Sequence, residues 1–151
     1  MKVLFVLALV AMGQGLPLET SMAQLSAPTS IKVTVLDAPA FEVSWEKVES
    51  VDERDPVTGY KVKIWEIKNI KSTRYMIENG EVKTVEEENE QPMDLISYPG
   101  GMPTELLTPA DQTSATYRNV KLDVTYEIRV AAITKTQEGP SSAPIRIKLN
   151  E

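Results

Sequence analysis

An all-β sandwich is the fold this sequence predicts, and three observations carry the prediction. Short segments alternate apolar and polar residues with a period of two, turn residues separate them, and no long stripe of helical spacing appears. With 151 residues, 42% hydrophobic and 25% charged, the chain is long enough for one domain with a real core and too short for two comfortable ones.

The alternation can be followed along the chain. Ile31–Leu36 (IKVTVL) sets Ile31, Val33 and Val35 on one side, and Phe41–Val48 (FEVSWEKV) sets Phe41, Val43 and Trp45 against Glu42, Ser44 and Glu46. A charged stretch closed by Pro56 leads to Thr58–Ile67 (TGYKVKIWEI), whose Tyr60, Val62 and Ile64 point inward by the same rule. Ser114–Val120 offers Ala115, Tyr117 and Val120 to a short strand. Val124–Ile133 divides Tyr126, Ile128, Val130 and Ala132 from Glu127, Arg129 and Ala131, and Ala143–Leu149 closes the series after a Gly139-Pro140 turn. One side of each strand is a core face, and the other is expected to meet water.

The first residues read differently. Met1-Lys2 is a short positive start, Val3–Met12 is an unbroken apolar run, and Gly13, Gly15, Ser21 and Ala23 are small. That layout is a secretory signal, expected to end at residue 23 with cleavage after Gly15 as the alternative, leaving a single domain over 24–151. The run is too short for a membrane span, which needs about 20 residues. The expected location is secreted and extracellular. The chain has no cysteine and no histidine, so Cys–His nucleophiles, Ser-His-Asp triads and standard zinc centres are excluded, and stability rests on packing without disulfides. A net charge of −6 without a basic run argues against nucleic acid.

The segments Ala27–Leu36, FEVSWEKV with Trp45, TGYKVKIWE and Asn119–Ile145 together resemble the fibronectin type III family. The resemblance implies an immunoglobulin-like β-sandwich in which Trp45 is the core tryptophan of the second strand. Tyr126 looks like the tyrosine of the corner motif, with Val120 upstream in place of the usual Leu. It implies an extracellular recognition or structural module rather than an enzyme. The family's Arg-Gly-Asp is not carried over, because Thr136-Gln137-Glu138-Gly139 occupies the resembling turn, and the Trp-Ser-x-Trp-Ser signature is missing too.

The larger departure lies in an enlarged connection over residues 68–112. Thr73–Ile77 and Glu81–Val85 flank Asn79-Gly80, a strong tight-turn pair, and predict a hairpin extending the sheet past its edge. Glu86–Gln91 (EEENEQ) reads as a solvated acidic loop, since a plain glutamate run lacks calcium-loop geometry. Pro99–Pro103 reads as a turn, and Met93, Leu95, Ile96, Leu106 and Leu107 are apolar enough to fold back on the sandwich or cover one of its edges.

The candidate binding residues follow from strand phase. With Tyr60, Val62 and Ile64 inward, Lys61, Lys63 and Trp65 face outward, beside outward Arg129 and Ile133 of the neighbouring strand that the resemblance implies. A tryptophan among aliphatic and cationic groups is hot-spot material. Weighing more than an open partner face is the reading that the apolar part of the connection covers this face and buries Trp65 as a satellite core. Trp45, Tyr60, Tyr126 and Val130 are assigned to the core. No catalytic residue, metal site or cofactor is indicated. The function expected is recognition of an extracellular protein, ligand unnamed. The alternatives are a structural protein associating with a second copy of itself and, third, a carboxylate hydrolase.

Overall fold

The computed structural model describes residues 25–37 and 39–151. The expected leader, residues 1–23, and the domain's first residue lie outside them. Nine strands make up the described chain: β1 (Lys32–Leu36), β2 (Ala40–Ser44), β3 (Gly59–Glu66), β4 (Asn69–Glu78), β5 (Glu81–Glu90), β6 (Thr104–Pro109), β7 (Ser114–Tyr117), β8 (Thr125–Ile133) and β9 (Ile145–Lys148). A three-stranded sheet, β1-β2-β7, faces a four-stranded sheet, β6-β3-β8-β9, and β4 and β5 pair only with each other. All registered pairs are antiparallel, so this is an all-β, immunoglobulin-like sandwich. Among the described residues no helix is long and apolar enough to cross a membrane.

The alternating residues meet between the sheets. Phe41, Val43, Tyr60, Val62, Tyr126, Ile128, Val130 and Ala132 are all fully buried. Phe41, Tyr117 and Tyr126 form an aromatic cluster with ring centroids 5.4 to 6.0 Å apart, and Trp45 lies across Tyr60 at 5.3 Å. Each buried tyrosine keeps its hydroxyl satisfied. Tyr60 accepts from the Val48 amide at 2.9 Å, and Tyr126 accepts from the Lys121 amide at 2.8 Å, fixing the turn before β8. Gly59 lets β3 come close to β6, since a Cβ there would stand 2.3 Å from the Thr108 carbonyl oxygen.

The 68–112 connection departs from its expectation in two ways. The hairpin forms around Asn79 (φ 54°) and Gly80 (φ 80°), a turn of the type that suits the strand twist. Yet it is a separate two-stranded ribbon of ten residues per strand and does not extend the sandwich sheet. The expected acidic loop is also corrected: Glu86–Glu90 are strand residues in β5. Their repulsion is offset across the ribbon, where Lys71 stands opposite Glu88 and Arg74 Nε lies 2.7 Å from Glu87. Leu106 and Leu107 belong to β6, which covers the edge of β3.

No disulfide holds the sandwich, so two substitutions test its corner hydrogen bond and its core packing. Tyr126→Phe strands the Lys121 amide and should cost about 1–2 kcal/mol. Trp45→Ala should cost about 3–5 kcal/mol. Urea unfolding midpoints measure both, and a Tyr126→Phe protein as stable as its parent would refute the role given to the hydroxyl.

Candidate functional site

On the outer face of the four-stranded sheet, register brings charges together. Lys63 pairs with Arg129, Trp65 with Glu127, and Glu127 with Arg146 of β9, so all five side chains share one face. Three cations on one face need anions. Glu127, with no exposed surface, takes the Arg129 guanidinium at 2.8 and 3.0 Å on one oxygen and Arg146 Nε at 2.9 Å on the other. Glu138 receives Lys61 on one oxygen and Lys63 on the other, each at 2.8 Å.

The segment 91–99 lies over this face as a strap. Arg129 Nη2 donates to the carbonyls of Asp94 at 2.6 Å and Ser97 at 2.9 Å. Asp94 organises the strap locally, accepting from the Ile96 amide at 2.8 Å and the Ser97 hydroxyl at 2.5 Å. These bonds, the Ser97 hydroxyl foremost, hold the Asp94 carboxyl below its usual value. Tyr98 then stacks on Trp65 at 5.2 Å, with the Arg129 guanidinium 5.1 Å and Lys63 Nζ 5.1 Å from its ring, and its hydroxyl bonds with that of Ser141 at 2.9 Å.

The outward phase of Trp65 therefore holds, and of the two expectations for its surroundings the covered one is found, so Trp65 is not open to a partner. Trp65 is 3% exposed because Tyr98 and the strap cover it, and Arg129 is likewise 3% exposed. Lys61, Lys63, Trp65 and Arg129 do come together. Ile133 lies at the far end of this row, paired with Gly59 and roughly 20 Å along β8 from the position opposite Trp65, where it bridges Glu138, the residue that holds Lys61 and Lys63. Trp45, Tyr60, Tyr126 and Val130 stand in the core as expected. Sequence reasoning missed Tyr98, Asp94 and the tie from Glu127 to Arg146. The Glu127-x-Arg129 pair on an outward phase was the signal for the last of these.

Exposure lies elsewhere. Every β4 residue is exposed, as is every β5 residue except Glu87. On one face of the ribbon, near its tip, Ile77 pairs with Val82 and Tyr75 with Thr84, leaving Ile77 79%, Tyr75 70% and Val82 68% exposed. At the other end a cleft of about 680 Å³ opens between Ile70 at the ribbon's base and the strap residues Met93, Leu95 and Ile96. Among the described residues no group of acidic side chains is placed to hold a metal ion.

The fibronectin type III domain model matches residues 26–148. The chain belongs to the fibronectin type III family. Its fold is similar to that of the FN1–FN3 domains of chicken CNTN1, at 19% identity and a TM-score of 0.56, with 95% of this chain covered. It spans 36% of that longer chain. It is also similar to the fn3 domain of human contactin 1, at 19% identity and a TM-score of 0.55, with 91% of this chain and 89% of that one covered. No curated protein sequence matches it.

Two measurements test the covered face. Tyr98→Ala should make Trp65 quenchable by acrylamide while Trp45 stays protected; an unchanged quenching curve would remove Tyr98 as the cover. The second concerns Glu138. Burial raises its carboxyl, but the bonds from Lys61 and Lys63 outweigh that and hold it below the ordinary 4.5. A lowered folded-state value gives stability that is full above about pH 5 and is lost as pH falls through that value. Glu138→Gln should thus lower the Tm slightly at pH 7, and the gap should close toward pH 3. A gap independent of pH would contradict the ion-pair account.

Proposed function

We propose that this fibronectin type III chain is a secreted extracellular recognition domain that meets its protein partner with the β4–β5 ribbon. One observation carries the reading: Tyr75, Ile77 and Val82 form an exposed apolar group at the end of a ribbon that adds nothing to the core. Six to eight residues of extended strand place that group roughly 20–26 Å from the ribbon's base. Exposed aromatic and aliphatic side chains held on a two-stranded backbone are contact material, with edge amides alongside for strand addition. The apolar leader at Val3–Met12 supports secretion. Trp65, Lys63 and Arg129 act behind this surface, holding the strap that follows β5, while Lys61 joins Lys63 on Glu138.

The test is quantitative affinity capture from extracellular fluid, comparing the native chain with a Tyr75→Ser/Ile77→Ser/Val82→Ser variant shown to fold by circular dichroism. A protein partner retained by the first and at least tenfold depleted with the second is expected. Equal recovery of the same proteins by both would overturn the ribbon as the contact surface.

A further inference from the structure

The ribbon has two free edges, and they differ. The outer edge of β5 carries Glu86, Glu87, Glu88 and Glu90 along its inner half, so two such edges repel. The outer edge of β4 has no proline, no glycine and, over Tyr75–Ile77, no charge. Natural sheets protect long edges with prolines, bulges or charges. This one is unprotected at the point where it lies farthest from the sandwich.

The turn fixes which backbone groups are free. Glu78 and Glu81 flank the two-residue turn and form the hydrogen-bonded pair that closes it, so bonding to β5 alternates from there. Lys71, Thr73, Tyr75 and Ile77 therefore direct their N–H and C=O groups outward. A second β4 running antiparallel across a two-fold axis can satisfy them, provided that residues of the same face stand opposite one another.

Three registers cover the uncharged stretch, and side chains choose among them. Centring the axis on Arg74 sets two guanidinium groups face to face. A centre at Tyr75 sets Arg74 against Met76 and gains no ion pair. Centring on Met76 sets Arg74 against the partner's Glu78 and Tyr75 against the partner's Ile77, each contact made twice by symmetry, with Met76 meeting its own copy. Within one chain Arg74 already pairs with Glu87 and Glu78 with Lys83 at 2.8 Å, so charges alternate across the junction. The edge is self-complementary in that register.

We propose that two copies of the chain associate through their β4 edges, antiparallel and centred on Met76, giving one four-stranded ribbon between two sandwiches. This rests on the reading of the ribbon as a contact surface and names a second copy as its partner. A short edge-to-edge contact buries less than the ~800 Å² per partner of a standard interface, so the dimer is weak and reversible. Pairing β4 with a second chain's β5 would leave free edges at both ends and grow into fibres.

The chain has no cysteine, so a single one reports cleanly. Met76→Cys places two thiols at a directly opposed pair with Cα atoms about 4.5 Å apart, within disulfide reach. Under mild oxidation of the purified chain it should form covalent dimer at least tenfold faster than Val85→Cys, which shares the ribbon face but lies on β5. Equal rates would overturn the proposal. Sedimentation equilibrium of the cysteine-free chain should show mass rising from monomer toward dimer with concentration. Arg74→Glu should weaken that association at least tenfold, and Arg74→Glu/Glu78→Arg should restore it. Failure of the double variant to restore it would overturn the register, and a monomer up to about 1 mM, a concentration at which even a −4.1 kcal/mol interaction is half formed, would overturn the dimer. Capture of another protein through the ribbon by a chain that stays monomeric would leave the functional reading standing and remove only the second copy.

Discussion

Glu127 is a carboxylate with no exposed surface, and much of the outer half of the molecule follows from keeping it paired. An isolated charge in that position would cost several kcal/mol, and removing one partner would leave the others uncompensated. Arg129 and Arg146 therefore have fixed positions, one on the same strand and one on the neighbouring strand. The same Arg129 Nη2 that meets Glu127 also donates to the Asp94 and Ser97 carbonyls. Thus a sheet-face ion pair becomes the clamp of a strap. The strap carries Tyr98 onto Trp65, so β8 ends up buried on both faces, unlike an ordinary antiparallel strand with one side in water.

This explains what the sequence revealed and what it concealed. The inner sides of β3 and β8 were legible because alternation reports the face that meets the opposing sheet. The corner role of Tyr126 was legible only through the family resemblance, which sets a tyrosine near the start of this strand. The strap was not legible. Tyr98 lies among Ser97, Pro99 and Gly100, where no period exists, and its contact with Trp65 spans thirty-three residues of chain. Glu86–Glu90 misled for a physical reason: repulsion along one strand is visible in sequence, whereas Lys71 and Arg74 across the ladder appear only once the register is known. In β6, Leu106 and Leu107 are adjacent, so the strand shows no alternation to read.

The ribbon raises the opposite question, how something with so little burial stays ordered. A lone hairpin is marginal in water, and exposed ion pairs such as Arg74–Glu87 add little. Order comes from the base. The Ile67 amide bonds the Thr125 carbonyl at 2.8 Å, the Gln91 amide bonds the Lys68 carbonyl at 3.1 Å, and the Thr125 hydroxyl donates to Glu90. Stability therefore declines from base to tip, and the tip is where apolar residues accumulate. Burial by a partner would return most there, since Tyr75, Ile77 and Val82 contribute nothing to the core.

Base and strap are also one piece of chain. Glu90 ends β5 beside Arg146, 3.9 Å away, and Arg146 is the second partner of Glu127. Four residues further on, Asp94 and then Ser97 return to Arg129, the first partner. The same buried carboxylate thus anchors both ends of the passage from ribbon to strap. A force on the ribbon acts on Arg146 through Glu90 and on Arg129 through the strap, and neither guanidinium can leave without weakening the pairing of the fully buried Glu127 charge. The long connection is consequently tied back to the sandwich at the base of the ribbon and again at the strap.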